Sequence, residues 1–338
     1  MPASGAPPPA ALFARAIRGE CAKGRPVSAR PAPAAAWAAE RERSSAGVLR
    51  LMSWIAVRCG RRVARAVLHL ISAYFVLFAP TARRASARYL ARVHGRPARW
   101  REIYAHVFCF AATILDRVYF LRRQTDWLQL TVRGQDMIEG VLAEGRGAFL
   151  VGAHVGSFEA LRVAGHGRPD LSVSMVMYPD NARKINAALA AIAPDAVPDI
   201  IALGRPDSML QIRDRLAEGA LVGMLGDRTL HAESNRGQPV RLRFLGDEVE
   251  FSDGPFRLAD LLRQRIVFMV GLYLGGARYE VRFEPLADFR RRPADAAERE
   301  ARIHAALADY VRRLESLCRE QPCNWFNFHD FWRDDEAR

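Results

Sequence analysis

From Gln124 onwards, short apolar runs alternate with stretches in which apolar residues recur every three or four positions. The runs predict strands at 128–133, 148–153, 171–177, 199–203, 220–225, 240–245, 266–274 and 279–284. The periodic stretches predict helices at 135–144, 157–165, 182–193, 206–218, 255–264 and 295–320. Strands and helices taking turns in this way indicate an α/β fold, a mixed, largely parallel sheet flanked by helices. Before Gln124 the pattern is helical. Ala66 to Ala79 (AVLHLISAYFVLFA) is uncharged and largely apolar, and Arg99 to Arg123 contains IYAHVFCFAATILDRVYFL, where His106 and Cys109 read as packed side chains. Residues 1–36 are rich in Pro, Ala and Arg without an apolar period, the texture of a disordered leader. The expected organisation is a leader at 1–36, a basic, apolar helical region at 37–124, and an α/β domain at 125–332 that ends in an aromatic tail.

Charge sharpens the reading of the helical region. Of the net +13, residues 1–101 carry +16 and the remainder −3. Between Arg50 and Arg101 there are twelve arginines and no acidic residue. A solvated face normally mixes both signs, so one-signed charge around an apolar helix points to an anionic surface. Fourteen helical residues reach about 21 Å, short of the ~30 Å hydrocarbon core, so Ala66–Ala79 fits burial in one leaflet better than a full crossing. Arg58, Arg61, Arg62 and Arg65 before it, and Arg83, Arg84 and Arg88 after it, would then lie among lipid phosphates. A core helix with a solvated basic face is the competing reading. The basic residues are not interleaved with stacking aromatics on a sheet face, which argues against a nucleic-acid binder. The five scattered cysteines form no CxxC pair, so neither a zinc site nor a disulfide framework is indicated, and no secretory signal stands at the N-terminus.

The chemistry concentrates at AFLVGAHVGSFEALRVAG, 148–165, where a buried strand hands over to a helix. His154 stands at the corner, with Glu159 five positions on. The spacing itself carries little, since His304/Asp309 and His329/Asp334 share it. His304 lies mid-helix, where five residues put side chains about 140° apart, and His329 follows no strand. At a strand end, His154 is free to turn over the first helical turn towards Glu159. Gly152 and Gly156 permit sharp turns, Ser157 is the expected N-cap, and the helix N-terminus would supply N–H donors to an oxyanion. The alternative is a capped helix with a hydrogen-bonded histidine. No Ser sits in a G-x-S-x-G elbow, which favours direct attack by an activated hydroxyl over an acyl-enzyme.

Three further positions are candidate substrate-binding residues. Asp227 and Arg228 follow a predicted strand, where α/β sheets carry ligands. Asp227 would orient the acceptor or a catalytic Arg, and Arg228 would bind a phosphate, or else the pair simply pins a loop. Arg205 follows the strand DIIALG in a similar place. Gly254, after the expected N-cap Asp253, would let the backbone approach a ligand. In NWFNFHDFW, 324–332, docking of the tail onto the core competes with a wall for an apolar chain or an interfacial anchor.

The run GAHVGSFE at 152–159 resembles the H-x4-(D/E) motif of the lysophospholipid-type acyltransferases, and most closely the bacterial lipid A late acyltransferases. TARRASARYLARV at 81–93, LGDRTL at 225–230, RFLGDEVEFSDGPFRLA at 243–259 and NWFNFHDFW resemble the same family in the same order. The resemblance implies a glycerolipid acyltransferase-like fold, with His154 as general base and Glu159 as its acidic partner. It implies a donor thioester on acyl carrier protein or coenzyme A, no resident cofactor or metal, and a glycolipid hydroxyl as acceptor. It further implies a peripheral or monotopic place on the cytoplasmic face of the inner membrane, among anionic lipids. The aromatic tail looks more like a branch associated with other lipids and polyene-type products, so a different acceptor is the alternative. An inactive membrane-associated scaffold is the third reading.

Overall fold

The run AFLVG becomes β2 (Ala148–Gly152), with all five residues buried, and lies at the centre of a seven-stranded sheet. A computed structural model describes residues 46–165, 172–177, 199–204, 207–228 and 239–332 of the chain. The expected leader and the expected helix at 182–193 lie outside the described residues.

The sheet also contains β1 (Gln129–Arg133), β3 (Val173–Met177), β4 (Ile200–Ala202), β5 (Leu221–Leu225), β8 (Arg265–Tyr273) and β9 (Arg278–Asp288), in the order β1-β9-β8-β2-β5-β3-β4. Every neighbouring pair is parallel except β8 and β9, so the fold is a mixed, largely parallel α/β sheet. Each strand predicted from its apolar run is present. One further strand, β7 (Asp247–Ser252), was not predicted, because DEVEFS carries three acids among its six residues. It pairs antiparallel with β6 (Pro239–Phe244) in a separate hairpin. The turn between them is Leu245–Gly246, both at positive φ, which matches the twist of a two-residue hairpin.

Successive residues of β2 point to opposite layers, as the strand period requires. Phe149 and Val151 join a core with α2 (Pro80–His94), α6 (Ser208–Ala217), α7 (Gly254–Leu261) and α8 (Ala296–Glu320). Ala148 and Leu150 join one with α3 (Trp100–Leu121), α4 (Gln135–Ala143) and α5 (Glu159–Ala164). The α8 helix starts at Asp295, whose side chain accepts the Glu298 N–H, and it buries Ile303, Leu307, Tyr310, Val311, Leu314 and Leu317 along one face. Each such side chain contributes about 1.5–3 kcal/mol by leaving water.

The helical region begins with α1 (Ala46–Phe78), broken at Gly60, and the segment Trp54–Phe78 meets α2 at 92°. On α1, Ala64, Leu68 and Val76 pack inward, while Val63, Leu70, Tyr74, Leu77 and Phe78 stay exposed, Leu70 to 73%. A helix apolar on both its packed and its outer face is built to meet something other than water. Among the described residues α3 is the single helix long and apolar enough to cross a membrane, but its 61% buried window makes it a core element of this fold.

The arginines around α1 are divided differently from the expectation. Arg61 makes two 2.8 Å bonds to the buried Asp116, which also accepts from Tyr279 Oη at 2.9 Å. Arg65 donates to Tyr273, Arg83 to the carbonyls of Val76 and Leu77, and Arg88 pairs with Asp330. Those four therefore hold the helices to one another, to the sheet and to the C-terminal tail. Arg58, Arg62 and Arg84 are exposed, with no ion pair to them among the described residues.

Candidate active site

Strands β2 and β5 are parallel neighbours, with Gly152 opposite Leu225. Two residues beyond each member of that pair stand His154 and Asp227. The backbone N–H of His154 donates to Asp227 Oδ2 at 2.9 Å, and His154 Nδ1 lies 2.8 Å from Asp227 Oδ1. Asp227 is buried, whereas the His154 side chain remains 29% exposed, so the imidazole sits at the edge with its acid behind it. Burial works against ionising Asp227, but His154 and then Arg228 oppose it strongly enough to hold the carboxyl well below the usual carboxylate range. An ionised carboxylate only accepts, so His154 carries its proton on Nδ1 and leaves the Nε2 lone pair available.

Local packing fixes this corner. Gly152 O accepts both the Gly226 N–H at 3.0 Å and the Tyr310 hydroxyl at 2.8 Å, tying the two strand ends to α8. Gly156 has φ +60°, and a Cβ there would fall 1.9 Å from Gly271 O. The next residue, Ser157, donates its N–H to that same carbonyl at 2.7 Å. The His154 loop is thus seated on β8 by backbone alone.

The expected pairing of His154 with Glu159 is not formed. Glu159 Oε1 lies 2.7 Å from Arg117 Nε on α3, and Oε2 accepts from Ser157 Oγ at 3.1 Å. The reason is local geometry: Glu159 is the first residue of α5 and faces α3, while β5 brings Asp227 to the imidazole. The expected cap also moves. Phe158 occupies the N-cap position, and the Ser157 hydroxyl serves Glu159 instead.

The remaining candidates separate. Arg228 follows Asp227 in a desolvated position, where burial depresses its pKa and Asp227 counters. Gly254 opens α7 with its N–H donated to Ser252 Oγ at 3.2 Å, and the carboxylate of Asp253 pairs with Arg257 rather than capping the helix. Gly254 thus has a structural place at a helix start. Arg205 lies outside the described residues.

Residues of the aromatic tail complete the site. Trp325, 1% exposed, donates Nε1–H to Asp227 Oδ2 at 2.9 Å. Gly156 N–H donates to Asn324 O at 2.9 Å, and Phe326 N–H to His154 O at 2.8 Å, so the tail lies along the His154 loop. The His329 pKa is lowered to about 4, first by burial and then by the nearby Arg228 and His154. Five aromatics in eight residues were the sequence signal; what they touch was not readable from it. A cavity of about 630 Å³ lies behind this tail, lined by Tyr104, Phe108, Cys109, Tyr273 and Asn324 together with Arg65 and others. His154 is not among its walls.

A partly exposed imidazole backed by a buried carboxylate, at the carboxyl end of parallel strands, defines an α/β protein equipped for general-base chemistry. The chain belongs to the bacterial lipid A biosynthesis acyltransferase family, whose model matches residues 45–334, and it is an acyltransferase. Among curated proteins no match was found. The family is membrane-associated.

Proposed function

We propose that the enzyme moves a fatty acyl group from a thioester, on acyl carrier protein or coenzyme A, to a hydroxyl of a lipid A-like glycolipid. The observation that carries this reading is the His154–Asp227 pair, with Nε2 of the imidazole left open. In the step it supports, His154 Nε2 takes the acceptor hydroxyl proton as the oxygen attacks the thioester carbonyl. The C–O bond forms, the C–S bond breaks, and the proton passes from the imidazolium to the departing thiolate. Asp227 holds the tautomer and stabilises the imidazolium. Arg228 meets negative charge on the substrate, either a phosphate or the developing oxyanion. We assign Glu159 to anchoring the catalytic loop through Arg117. The outer face of α1, with Arg58, Arg62 and Arg84, would rest on anionic lipid at the cytoplasmic face of the inner membrane.

The test is transfer of labelled acyl groups from acyl carrier protein and from coenzyme A, in separate arms, to a lipid A precursor and to other hydroxylated lipids. His154→Ala is expected to lose transfer in every arm that is active. Full transfer by that variant would overturn the mechanism, and activity with only the other lipids would overturn the acceptor.

A further inference from the structure

Four hydrogen bonds run in series from α2 to the imidazole of His154. Ser86 Oγ lies 2.8 Å from His106 Nδ1, and His106 Nε2 lies 2.8 Å from Trp325 O. Trp325 Nε1 lies 2.9 Å from Asp227 Oδ2, and Asp227 Oδ1 2.8 Å from His154 Nδ1. Chemistry fixes the direction of every link. A carbonyl can only accept, so His106 carries its hydrogen on Nε2; its Nδ1 then accepts, and the Ser86 hydroxyl donates. An indole can only donate, so Trp325 gives its N–H to the carboxylate. Ser86 and His106 are fully buried, and the His106 ring is stacked on Phe328 with centroids 4.6 Å apart. An apolar side chain would fill that place equally well by volume, but it would leave the Trp325 carbonyl without its donor.

We infer that Trp325 is a positioning residue for the catalytic base, held from α2 and α3 by Ser86 and His106, so that the seating of the N-terminal helices sets the geometry of the His154–Asp227 pair. This rests on His154 acting as the base. Asp227 Oδ2 has two protein donors, the His154 backbone N–H and the Trp325 indole. Losing the indole leaves Oδ2 with the His154 backbone N–H as its one protein donor among the described residues and leaves the carboxylate charge less neutralised. The imidazolium is then favoured more strongly, and the base is protonated to higher pH.

Trp325→Phe keeps an aromatic ring and removes the donor. In the full-length enzyme it is expected to lower kcat about tenfold while leaving KM for both substrates within about twofold, because the group touches neither substrate. The acid limb of the pH–rate profile should move up by about half a unit. His106→Leu should act in the same direction, and His106→Gln, which keeps a nitrogen donor near the Nε2 position, should recover most of that loss. A lowered Tm with kcat and the acid limb unchanged would reduce Trp325 to packing and overturn the inference. Should Trp325→Phe fail to fold, the two His106 variants decide: equal activity and equal acid limbs in them would overturn it as well. Full transfer by His154→Ala would remove the base itself; a dead His154→Ala beside an unaffected Trp325→Phe would remove only the relay.

Discussion

Arg117 on α3 holds Glu159 at 2.7 Å, facing it away from the imidazole that shares its motif. The two acids near His154 therefore have separable work. Asp227→Asn removes the charge behind the imidazole and offers a side chain that can hold the wrong tautomer. Transfer should fall on the order of 10²–10⁴-fold with little change in KM. Glu159→Gln should lower activity much less and act through stability, restored in part by stabilising conditions. Steady-state kinetics on the two variants beside their melting curves checks this, and a greater kcat loss in Glu159→Gln would reverse the assignment.

Asp116 is fully buried and takes both Arg61 and Tyr279. Asp116→Ala leaves the Arg61 guanidinium, only 16% exposed, without its counter-charge. Breaking a pair of this kind typically costs about 3–5 kcal/mol. Denaturant unfolding should show that loss, and Arg61→Met together with Asp116→Leu should recover much of it.

His106 connects acidity to stability. Burial pulls its pKa from 6.5 down to about 4, with the bond to Trp325 opposing. Between those values the unfolded chain binds a proton that the folded chain refuses. The stabilisation is therefore complete above pH 6.5 and declines as the pH falls towards 4. At about 1.4 kcal/mol per unit, the loss from this one group approaches roughly 3 kcal/mol. Melting temperatures measured between pH 7 and 4 should fall less steeply in His106→Gln than in the parent.

Gly156→Ala asks for a Cβ 1.9 Å from Gly271 O at a φ of +60°. Nothing flexible can yield there, because the obstacle is the backbone of a central strand. The His154 loop should lift off β8, and transfer should fall by at least about tenfold, the order that loss of positioning near the chemistry produces. Gly246→Ala, at a turn with open space around it, is the control for mere backbone strain.

Leu70, Tyr74 and Leu77 form the exposed apolar face of α1. Replacing all three by Asp should release the enzyme from anionic vesicles in flotation assays, with the melting temperature of the detergent-free protein held or raised. Continued vesicle binding would show that the attachment lies elsewhere.

Much of the fold is legible in the amino-acid sequence. Every run from 128 to 284 assigned to a strand is one. The central strands β2, β5 and β8 are near-continuously apolar because both faces are covered, while β1 and β6 alternate as half-buried strands do. The corner at His154 was legible for the same reason, from a strand and a helix with glycine between them. The partner of His154 was not. Glu159 is close in sequence, whereas Asp227 reaches the imidazole only because β5 lies beside β2, and strand order leaves no mark on a single strand's composition. The relay through Trp325 was hidden further still. His106 read as a packed side chain, which it is, but its donor function depends on a carbonyl 219 residues away in the sequence.

The tail that closes the site is also the last described part of the chain to be made. A nascent polypeptide that has already emerged with every strand of the sheet holds His154 and Asp227 but lacks the indole donor of Trp325 and the loop contacts of Asn324 and Phe326. The His154–Asp227 pair gains these bonds only when translation has passed residue 326. A product terminated before Trp325 would carry both residues of the pair, yet its loop would lack the bonds that hold it in place.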